Sequence, residues 1–299
     1  MFLKCDHIGT SYSNYSKVKE SNLDSKRTVV FKFGGVLAQN DRVIRQMAEQ
    51  IWQLRREQDC HVIVVHGGGV QINAALIKRG MSIRRNASTS ERITDYDTLR
   101  VCDKALRSLN KKVTRLFNQA ANDMGLEGHR AIGMAGYDHN SVIGKSQSGH
   151  IDDYSGQVLF AKTSHIEKKL NEGRLLVINS MSLNEDASWH ERRLNMNADN
   201  VALAIAVALQ ADEIVFCSNV AGVLDRDKSL IKNLTLSQAQ KLIDMGIING
   251  GMTPKVHAAI RAAEKLKHGS TILDGRKQGA IFQALTNRDS GTRFLRNTL

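Results

Sequence analysis

An apolar run, a glycine turn and an amphipathic helix follow one another twice in the first third of the chain. The run TVVFKF (28–33) leads into two glycines, and the run CHVIVVH (60–66) leads into three. Between the two units, apolar residues recur at helical spacing over 43–54, which predicts a helix with one buried face. Strand, turn and helix repeated in this order are typical of βαβ units. The chain is therefore constrained to a mainly parallel sheet with helices packed against it.

The rest of the chain continues this pattern. Short apolar runs predict further buried strands at 174–179, 213–217 and 271–274. A segment dense in alanine and valine predicts a buried helix at 198–209, and apolar periodicity predicts amphipathic helices at 234–245 and 256–266. The segment 126–160 differs, because its short apolar pieces are separated by glycines and other turn residues. It predicts β-hairpins.

Length and composition bound the class of protein. With 299 residues, the chain is long enough for one large α/β domain or two lobes. We divide it into an arm at 1–27, a first lobe at 28–185 and a second lobe at 186–299. The arm is rich in Ser, Asn and Lys without apolar periodicity, so we expect it to be mobile. No apolar run approaches the roughly 20 residues that span a bilayer. The four cysteines are far apart, which favours a reducing cytoplasm over a disulfide framework or a zinc site, and we predict no metal site.

The glycine turns carry the first candidate chemistry. Lys32 stands at the end of the first predicted strand, with Gly34 and Gly35 directly after it. Glycine lets the backbone approach a ligand closely, a helix N-terminus favours negative charge, and lysine is a compact cation that suits a phosphate. The alternative is a surface lysine beside an ordinary turn. The second turn, HGGGVQIN, indicates an anion site more strongly than a flexible loop. Three successive glycines are costly in conformational entropy and usually present backbone N–H groups to a ligand.

Two polar helix starts complete the candidate set. LNMNADNVA places Asn195, Asn197, Asp199 and Asn200 before a buried helix, although N-capping alone would need only one of them. GGMTPKV places Lys255 in a first helical turn, where the helix dipole disfavours a cation, so its charge indicates a function. An aspartate can order lysines through charge-assisted hydrogen bonds. Together these residues fit phosphoryl transfer, which needs positioning and charge neutralisation more than covalent chemistry.

Six motifs occur in the order and with the spacing of a known family: FKFGG, HGGGVQI, ERITD, LNMNADNVALAIAVAL, SNVAGVLD and GGMTPKV. Over residues 28–299 the chain resembles the N-acetylglutamate kinases of the amino acid kinase superfamily. The resemblance implies a three-layer αβα sandwich with a mainly parallel central sheet. It implies a first lobe that binds the acyl amino acid under a hairpin lid at 126–160, and a second lobe that binds ATP with Mg²⁺ carried on the nucleotide. It also implies a homodimer. The implied reaction converts N-acetylglutamate to N-acetylglutamyl 5-phosphate in arginine biosynthesis.

The resemblance also implies roles for individual residues. Lys32 and Lys255 match two lysines that act at the transition state, and Asp199 matches the aspartate that orders them. The positions that match substrate-binding residues are Gly68, Gly69, Arg92 and Asn195. The positions that match nucleotide-contacting residues are Gly34, Gly35, Ser218, Asn219, Val220, Gly222, Val223, Leu224, Ile248, Asn249, Gly250, Gly251 and Met252.

Departures from the family pattern qualify what the resemblance implies. Val70 stands where proline is usual, Asn219 where an aspartate is expected in the nucleotide loop, and Ser290 where a glycine is usual near the C-terminus. The change at Asn219 would alter nucleotide contacts without removing the lysines. The arm lacks the amphipathic helix that joins dimers into hexamers in arginine-inhibited relatives. We therefore predict a dimer without an arginine-responsive hexamer.

A basic stripe keeps a second kind of substrate open. Arg100, Lys104, Arg107, Lys111 and Arg115 recur at spacings of four, three, four and four, so they share one face of a predicted helix. A solvated face is the preferred interpretation. With a net charge of +12 and a pI near 9.6, the stripe would also suit an acidic carrier protein. A relative in lysine synthesis phosphorylates aminoadipate on such a carrier, so an aminoadipate or glutamate kinase is the alternative.

Two further classes are less favoured. A catalytically weak, nucleotide-sensing regulator is suggested by Asn219 and by the arm. The retained Lys32, Asp199 and Lys255 argue against it, because such a regulator has no physical need for them. Nucleic-acid binding through the basic stripe is disfavoured by the low aromatic content, 5%, and by the lack of zinc-finger spacings.

Overall fold

Strands and helices alternate through most of the chain. The computed structural model describes residues 23–86, 91–148, 152–186, 188 and 191–296. Most of the predicted arm, residues 1–22, lies outside the described residues. The described strands are β1 (Thr28–Phe33), β2 (His61–His66), β3 (Arg130–Ala135), β4 (Val142–Ser146), β5 (Ser155–Ala161), β6 (Arg174–Asn179), β7 (Met181–Asn184), β8 (Arg193–Met196), β9 (Glu213–Ser218), β10 (Asn233–Thr235), β11 (Ser270–Asp274) and β12 (Thr292–Leu295). The described α-helices are α1 (Asp41–Gln58), α2 (Gly69–Ile77), α3 (Tyr96–Asp123), α4 (Ser164–Asn171), α5 (Ala198–Ala208), α6 (Leu236–Asp244), α7 (Met252–Lys265) and α8 (Ala280–Thr286).

One large sheet joins eight of the described strands in the order β10-β12-β11-β9-β1-β2-β6-β3. The six strands from β11 to β3 are parallel, whereas β12 runs antiparallel to β11 and pairs in parallel with β10. The predicted mainly parallel sheet is therefore confirmed. The division into lobes at 185 stays a prediction, since this sheet contains strands from both sides of that position.

Alternate residues of the central strands enter two different cores. On β1, Val30 belongs to the core beneath α5 and α7, while Val29 and Phe31 belong to the core beneath α1 and α8. Helices therefore cover both faces, which is the three-layer αβα arrangement predicted. Because side chains alternate along a strand, Lys32 lies on the same face as Val30 and points toward α5. None of the helices in the described ranges is long and apolar enough to cross a membrane.

The remaining strands form a small closed barrel of β4, β5, β8 and β7. Its antiparallel β4–β5 pair is the hairpin predicted within 126–160. The first part of that segment was wrongly predicted as hairpin, because β3 pairs in parallel with β6 at the edge of the large sheet. Gly133 does not mark a turn. A Cβ atom there would collide with the side chain of Asn110 on α3, so the glycine allows the helix to pack closely on the strand.

Two helix starts also differ from the prediction. Helix α6 begins at Leu236 rather than 234, because residues 233–235 pair with β12 and Thr235 then forms a capping box with Gln238. Helix α7 begins at Met252, four residues before the predicted apolar stretch. Lys255 consequently lies at the end of its first turn, as predicted.

Candidate functional site

The two glycine turns contact each other at the carboxyl edge of the large sheet. A Cβ atom on Gly35 would lie 3.0 Å from the backbone nitrogens of Gly69 and Val70 and 2.6 Å from Oε1 of Gln71. The Nε2 group of Gln71 donates a hydrogen bond to the Gly35 carbonyl oxygen at 2.9 Å. The first turn needs glycine because it packs directly on the backbone of the second. In open α/β sheets this edge is where ligands bind.

A stability measurement can test this contact. Replacing Gly35 by alanine adds a methyl group where backbone atoms cannot give way, and overpacking of this kind typically costs about 1–3 kcal/mol. We expect Gly35→Ala to lower the midpoint of thermal unfolding. Gly34→Ala is the matched variant, because no atom lies within 4 Å of the Cβ position at Gly34, and it should unfold at or above the wild-type temperature. Equal midpoints for the two variants would contradict the packing account.

A buried histidine holds the second turn in place. His66 ends β2 and is fully buried, with Nδ1 3.0 Å from the Gly67 carbonyl oxygen and Nε2 3.1 Å from Nδ2 of Asn110. Burial lowers the pKa of His66 to about 4, so the ring is neutral near pH 7. The Asn110 amide also donates to the Val177 carbonyl oxygen, which makes Nε2 the acceptor and Nδ1–H the donor to Gly67. Neither His66 nor Asn110 was predicted as a site residue. The position of His66, a polar residue at the end of a buried strand, was the sequence feature that could have indicated it.

The structure brings Lys32 and Asp199 together. Lys32 Nζ lies 2.7 Å from Asp199 Oδ1, and the lysine is only 6% exposed. Asp199 stands in the first turn of α5, where its backbone N–H donates to the Asn197 side chain, the N-cap of the helix. The other polar residues at this helix start bind elsewhere. Asn195 donates to Thr94 Oγ1, and Asn200 accepts from Arg261. One asparagine therefore caps the helix while the aspartate faces β1.

Lys255 belongs to the same electrostatic cluster. Burial raises the pKa of Asp199, but the charges of Lys32 and Lys255, with smaller contributions from a Lys32 hydrogen bond and the charge of Arg261, together hold that pKa below its ordinary value. Burial, followed by the charge of Lys32, lowers the pKa of Lys255, and Asp199 partly opposes both effects. The three residues predicted to act together are thus coupled across β1, α5 and α7. Two lysines that share one carboxylate keep a net positive charge, which suits an anionic ligand.

A cavity of about 290 Å³ adjoins this cluster. It is bounded by the residues next to Asp199 and Lys255, namely Ala198 and Pro254, and by the second glycine turn. The four predicted substrate-binding residues, Gly68, Gly69, Arg92 and Asn195, all line it. Arg85 and Glu91 also line it, and the sequence analysis had not selected either residue. The predicted substrate-binding residues therefore line one cavity next to the lysine–aspartate cluster.

Arg92 presents a guanidinium nitrogen that the described protein does not use. The side chain is 7% exposed, and its Nη2 donates to Asn73 Oδ1. Its Nη1 is buried and has no hydrogen-bond partner among the described residues. Burial lowers the pKa of Arg92, yet a guanidinium stays protonated in proteins. A buried donor without a partner costs stability, and a hydrogen-bond acceptor on a ligand would remove that cost.

The predicted nucleotide-contacting residues fall into three groups. Gly34 and Gly35 follow β1. Ser218 ends β9 and the residues 219–224 form the turn after it, where Gly222 has a positive φ of 155° and the Val223 N–H donates to Thr292 Oγ1. Residues 248–252 precede or begin α7. The backbone carbonyl oxygen of Asn219 accepts a hydrogen bond from Arg276 at 2.6 Å. This bond does not involve the Asn219 side chain. Contact of these groups with ATP stays a prediction.

Comparison with known proteins identifies the family of this chain. The model of the amino acid kinase family matches residues 27–274, which is most of the chain. The chain belongs to the amino acid kinase family. Its similar relatives include the acetylglutamate kinase of Agrobacterium fabrum, 32% identical over 279 residues that cover 89% of this chain and 90% of that protein. The acetylglutamate kinase of Nitrobacter winogradskyi is 34% identical over 285 residues, again covering 89% and 90%.

A solved structure supports the same fold for this family member. The N-acetylglutamate synthase of Neisseria gonorrhoeae superimposes with a TM-score of 0.74 over 90% of this chain and 61% of that one. At 20% identity this likeness shows the fold alone. The resemblance inferred from the six motifs is therefore confirmed at the level of the family and of its fold.

Proposed function

We propose that this amino acid kinase family member transfers the γ-phosphoryl group of ATP to the side-chain carboxylate of N-acetylglutamate. Relatives named acetylglutamate kinase share 32% and 34% of their residues with it over about nine-tenths of both chains. The observation that carries the proposal is the pairing of Lys32 with Asp199 beside a cavity lined by Arg92, whose Nη1 has no hydrogen-bond partner among the described residues. Such a cavity can hold one carboxylate at the arginine and direct a second toward the lysines.

The substrate would lie between Arg92 and the second glycine turn. Arg92 would bind the α-carboxylate through Nη1, with Asn195 beside it in the cavity. The side-chain carboxylate would then reach Gly68 and Gly69. They directly follow Gly67, whose carbonyl oxygen accepts a hydrogen bond from the neutral His66. N-acetylglutamate carries two carboxylates separated by a short chain, which matches a cavity lined by both Arg92 and the second glycine turn.

Lys32 and Lys255 would act on the transferred phosphoryl group. One carboxylate oxygen attacks the γ-phosphorus, the bond from that phosphorus to the bridging oxygen of ADP breaks, and ADP leaves. Negative charge builds up on the leaving oxygen of ADP and is spread over the equatorial oxygens of the transferred group, where fixed ammonium groups would stabilise it. Asp199 keeps the Lys32 ammonium in position. Mg²⁺ would arrive bound to the ATP phosphates and neutralise part of their charge.

The rate should depend on pH through Lys255. Its pKa lies below the ordinary lysine value of 10.5, so it loses its proton at a lower pH than an exposed lysine. We expect kcat/KM for ATP, which reports groups of the free enzyme, to fall on the alkaline side below pH 10.5. Asp199 raises the pKa of Lys255, so Asp199→Asn should move this alkaline limb to still lower pH. A limb that moves upward, or does not move, would contradict the coupling.

A coupled assay for ADP tests the proposed function. Purified protein would be supplied with ATP, Mg²⁺ and one acceptor at a time: N-acetylglutamate, glutamate, N-acetylaminoadipate or aspartate. We expect the highest kcat/KM with N-acetylglutamate, after subtraction of ADP formed without an acceptor. Preference for N-acetylaminoadipate would favour the aminoadipate alternative. ATP binding without turnover on any of the four acids would favour a carrier-bound substrate or a nucleotide-sensing regulator.

The proposal includes a cytoplasmic homodimer. The described cysteines, Cys60, Cys102 and Cys217, are free thiols buried in the protein, which fits a reducing compartment. The dimer follows from the family resemblance. Deletion of residues 2–26 followed by light scattering, with and without arginine, would show whether the arm adds a hexamer.

A further inference from the structure

We propose that Glu91 recognises the amide N–H of the substrate and makes the enzyme selective for N-acylated acceptors. This inference rests on the proposed function and adds a specificity-determining residue to it. It starts from an anomaly. Glu91 lines the same cavity as Arg92 and Asn195, so an acidic side chain stands in a site proposed for an acidic substrate.

The backbone around Glu91 fixes where its side chain starts. Asn86 N–H donates to the Glu91 carbonyl oxygen at 2.8 Å, and Ile93 N–H donates to Arg84 at 3.1 Å. Arg85 and Arg92 form an antiparallel bridge between these two bonds. Glu91 therefore occupies a paired position directly before Arg92. A substrate whose α-carboxylate binds Arg92 would bring its α-carbon, and the nitrogen attached to it, near this neighbouring residue.

The carboxylate of Glu91 is held by two amide groups. The side chains of Gln147 and Asn197 donate hydrogen bonds to it. Gln147 follows β4 of the barrel, while Asn197 is the N-cap of α5. Burial raises the pKa of Glu91 above its ordinary value, and these two hydrogen bonds oppose that rise without cancelling it. A carboxylate has about four lone-pair sites, so it can accept from a ligand while it keeps its protein donors.

The chemistry of the substrate decides what such an acceptor binds. N-acetylglutamate offers two carboxylates and an acetyl oxygen, all of which a carboxylate repels, and one N–H group, which a carboxylate accepts. One hydrogen bond to a charged group changes a binding constant by about 10-fold or more. Glu91 would therefore favour an acceptor with an N–H group on its α-carbon and disfavour one without it.

A positioning role makes a different prediction. Asn197 also accepts from the Asp199 N–H at 2.8 Å, so Glu91 is connected through Asn197 to the residue that pairs with Lys32. If this connection were its whole role, a change at Glu91 would lower kcat for every acceptor by the same factor. It would not change how the enzyme ranks two acceptors.

The test compares N-acetylglutamate with 2-acetoxyglutarate, in which an ester oxygen replaces the amide N–H. The readout is the ratio of their kcat/KM values, measured with wild-type protein, Glu91→Gln and Glu91→Leu. Glu127→Gln, on the exposed loop between α3 and β3, is the control for removal of one negative charge. For wild type and Glu127→Gln, we expect the amide to be preferred by about 10-fold or more, as expected for one charge-assisted hydrogen bond. The ratio should fall in Glu91→Gln and approach one in Glu91→Leu.

The outcomes separate this inference from the proposed function. Absence of turnover of N-acetylglutamate by wild type would overturn the proposed function itself. Turnover with an unchanged ratio in Glu91→Gln would overturn only the role of Glu91, including the case in which kcat falls equally for both acceptors. If Glu91→Leu does not fold, Glu91→Gln alone decides, because it preserves the shape of the side chain. Calorimetric dissociation constants of the two acids should change in the same direction as the ratio.

Discussion

Replacing Lys32 or Lys255 by alanine is expected to lower kcat by about 10²-fold or more, while the KM for ATP changes much less. Both ammonium groups would meet charge that develops mainly during transfer, so their loss raises the barrier more than it weakens nucleotide binding. The structure gives each lysine a reason for this position. Lys32 is buried against Asp199 at 2.7 Å, and Lys255 lies in the first turn of α7, within the same charge cluster.

Steady-state kinetics with purified variants would measure this effect. Lys267→Ala is the matched control, since it removes one positive charge from an exposed position after α7 and should leave kcat unchanged. Thermal unfolding of each variant should accompany the kinetics, because removal of one partner of a buried ion pair can itself destabilise a protein. A folded Lys32→Ala or Lys255→Ala protein with near-normal kcat would contradict the mechanism.

Arg92→Lys is expected to raise the KM for N-acetylglutamate by about 10-fold or more and to leave the KM for ATP nearly unchanged. Lysine keeps the positive charge but loses the planar pair of donors. Nη2 donates to Asn73, whereas Nη1 has no partner among the described residues and is the donor proposed to bind the substrate. The single ammonium group of lysine cannot replace both the hydrogen bond to Asn73 and the one proposed to the substrate. The loss should therefore appear in binding of the acid substrate.

Titration of each substrate at saturating concentrations of the other gives the two KM values. Arg79→Lys, at the exposed C-terminal end of α2, is the control for exchange of an arginine. Its kinetics should match those of wild type. An increase in the KM for ATP on substitution of Arg92 would show that this residue contacts the nucleotide and that the cavity has been assigned to the wrong substrate.

The sequence predicted the parts of the fold that depend on local patterns. Buried strands such as β1 and β9 were recognisable because both faces of a parallel sheet are covered, which makes the strands continuously apolar. Lys32 was recognisable because it places a charge near the end of an apolar strand. Asp199 was recognisable because it places a carboxylate beside the N-cap of a buried helix. Their direct contact depends only on which face of β1 carries Lys32 and on α5 covering that face.

The remaining features depend on contacts between distant parts of the chain. Gly133 was interpreted as a turn residue, because nothing local shows that Asn110, on a different element, lies against it. The hydrogen bond from Asn110 to His66 is hidden for the same reason. Glu91 was part of a recognised motif but received no role, since its place in the cavity depends on Asn197 and Gln147 from two other elements. Packing of this kind has no periodicity that a single sequence can display.

The central claim is that a carboxylate oxygen of the acid substrate attacks the γ-phosphorus of ATP. Transfer of an isotopic label tests it directly. N-acetylglutamate labelled with ¹⁸O in both oxygens of its side-chain carboxylate would be incubated with ATP, Mg²⁺ and the protein, and hydroxylamine would trap the product. Attack by the carboxylate leaves one labelled oxygen in the phosphate released on trapping, together with the side-chain hydroxamate. We predict phosphate with one ¹⁸O atom; unlabelled phosphate without hydroxamate would show hydrolysis of ATP by water and contradict the account.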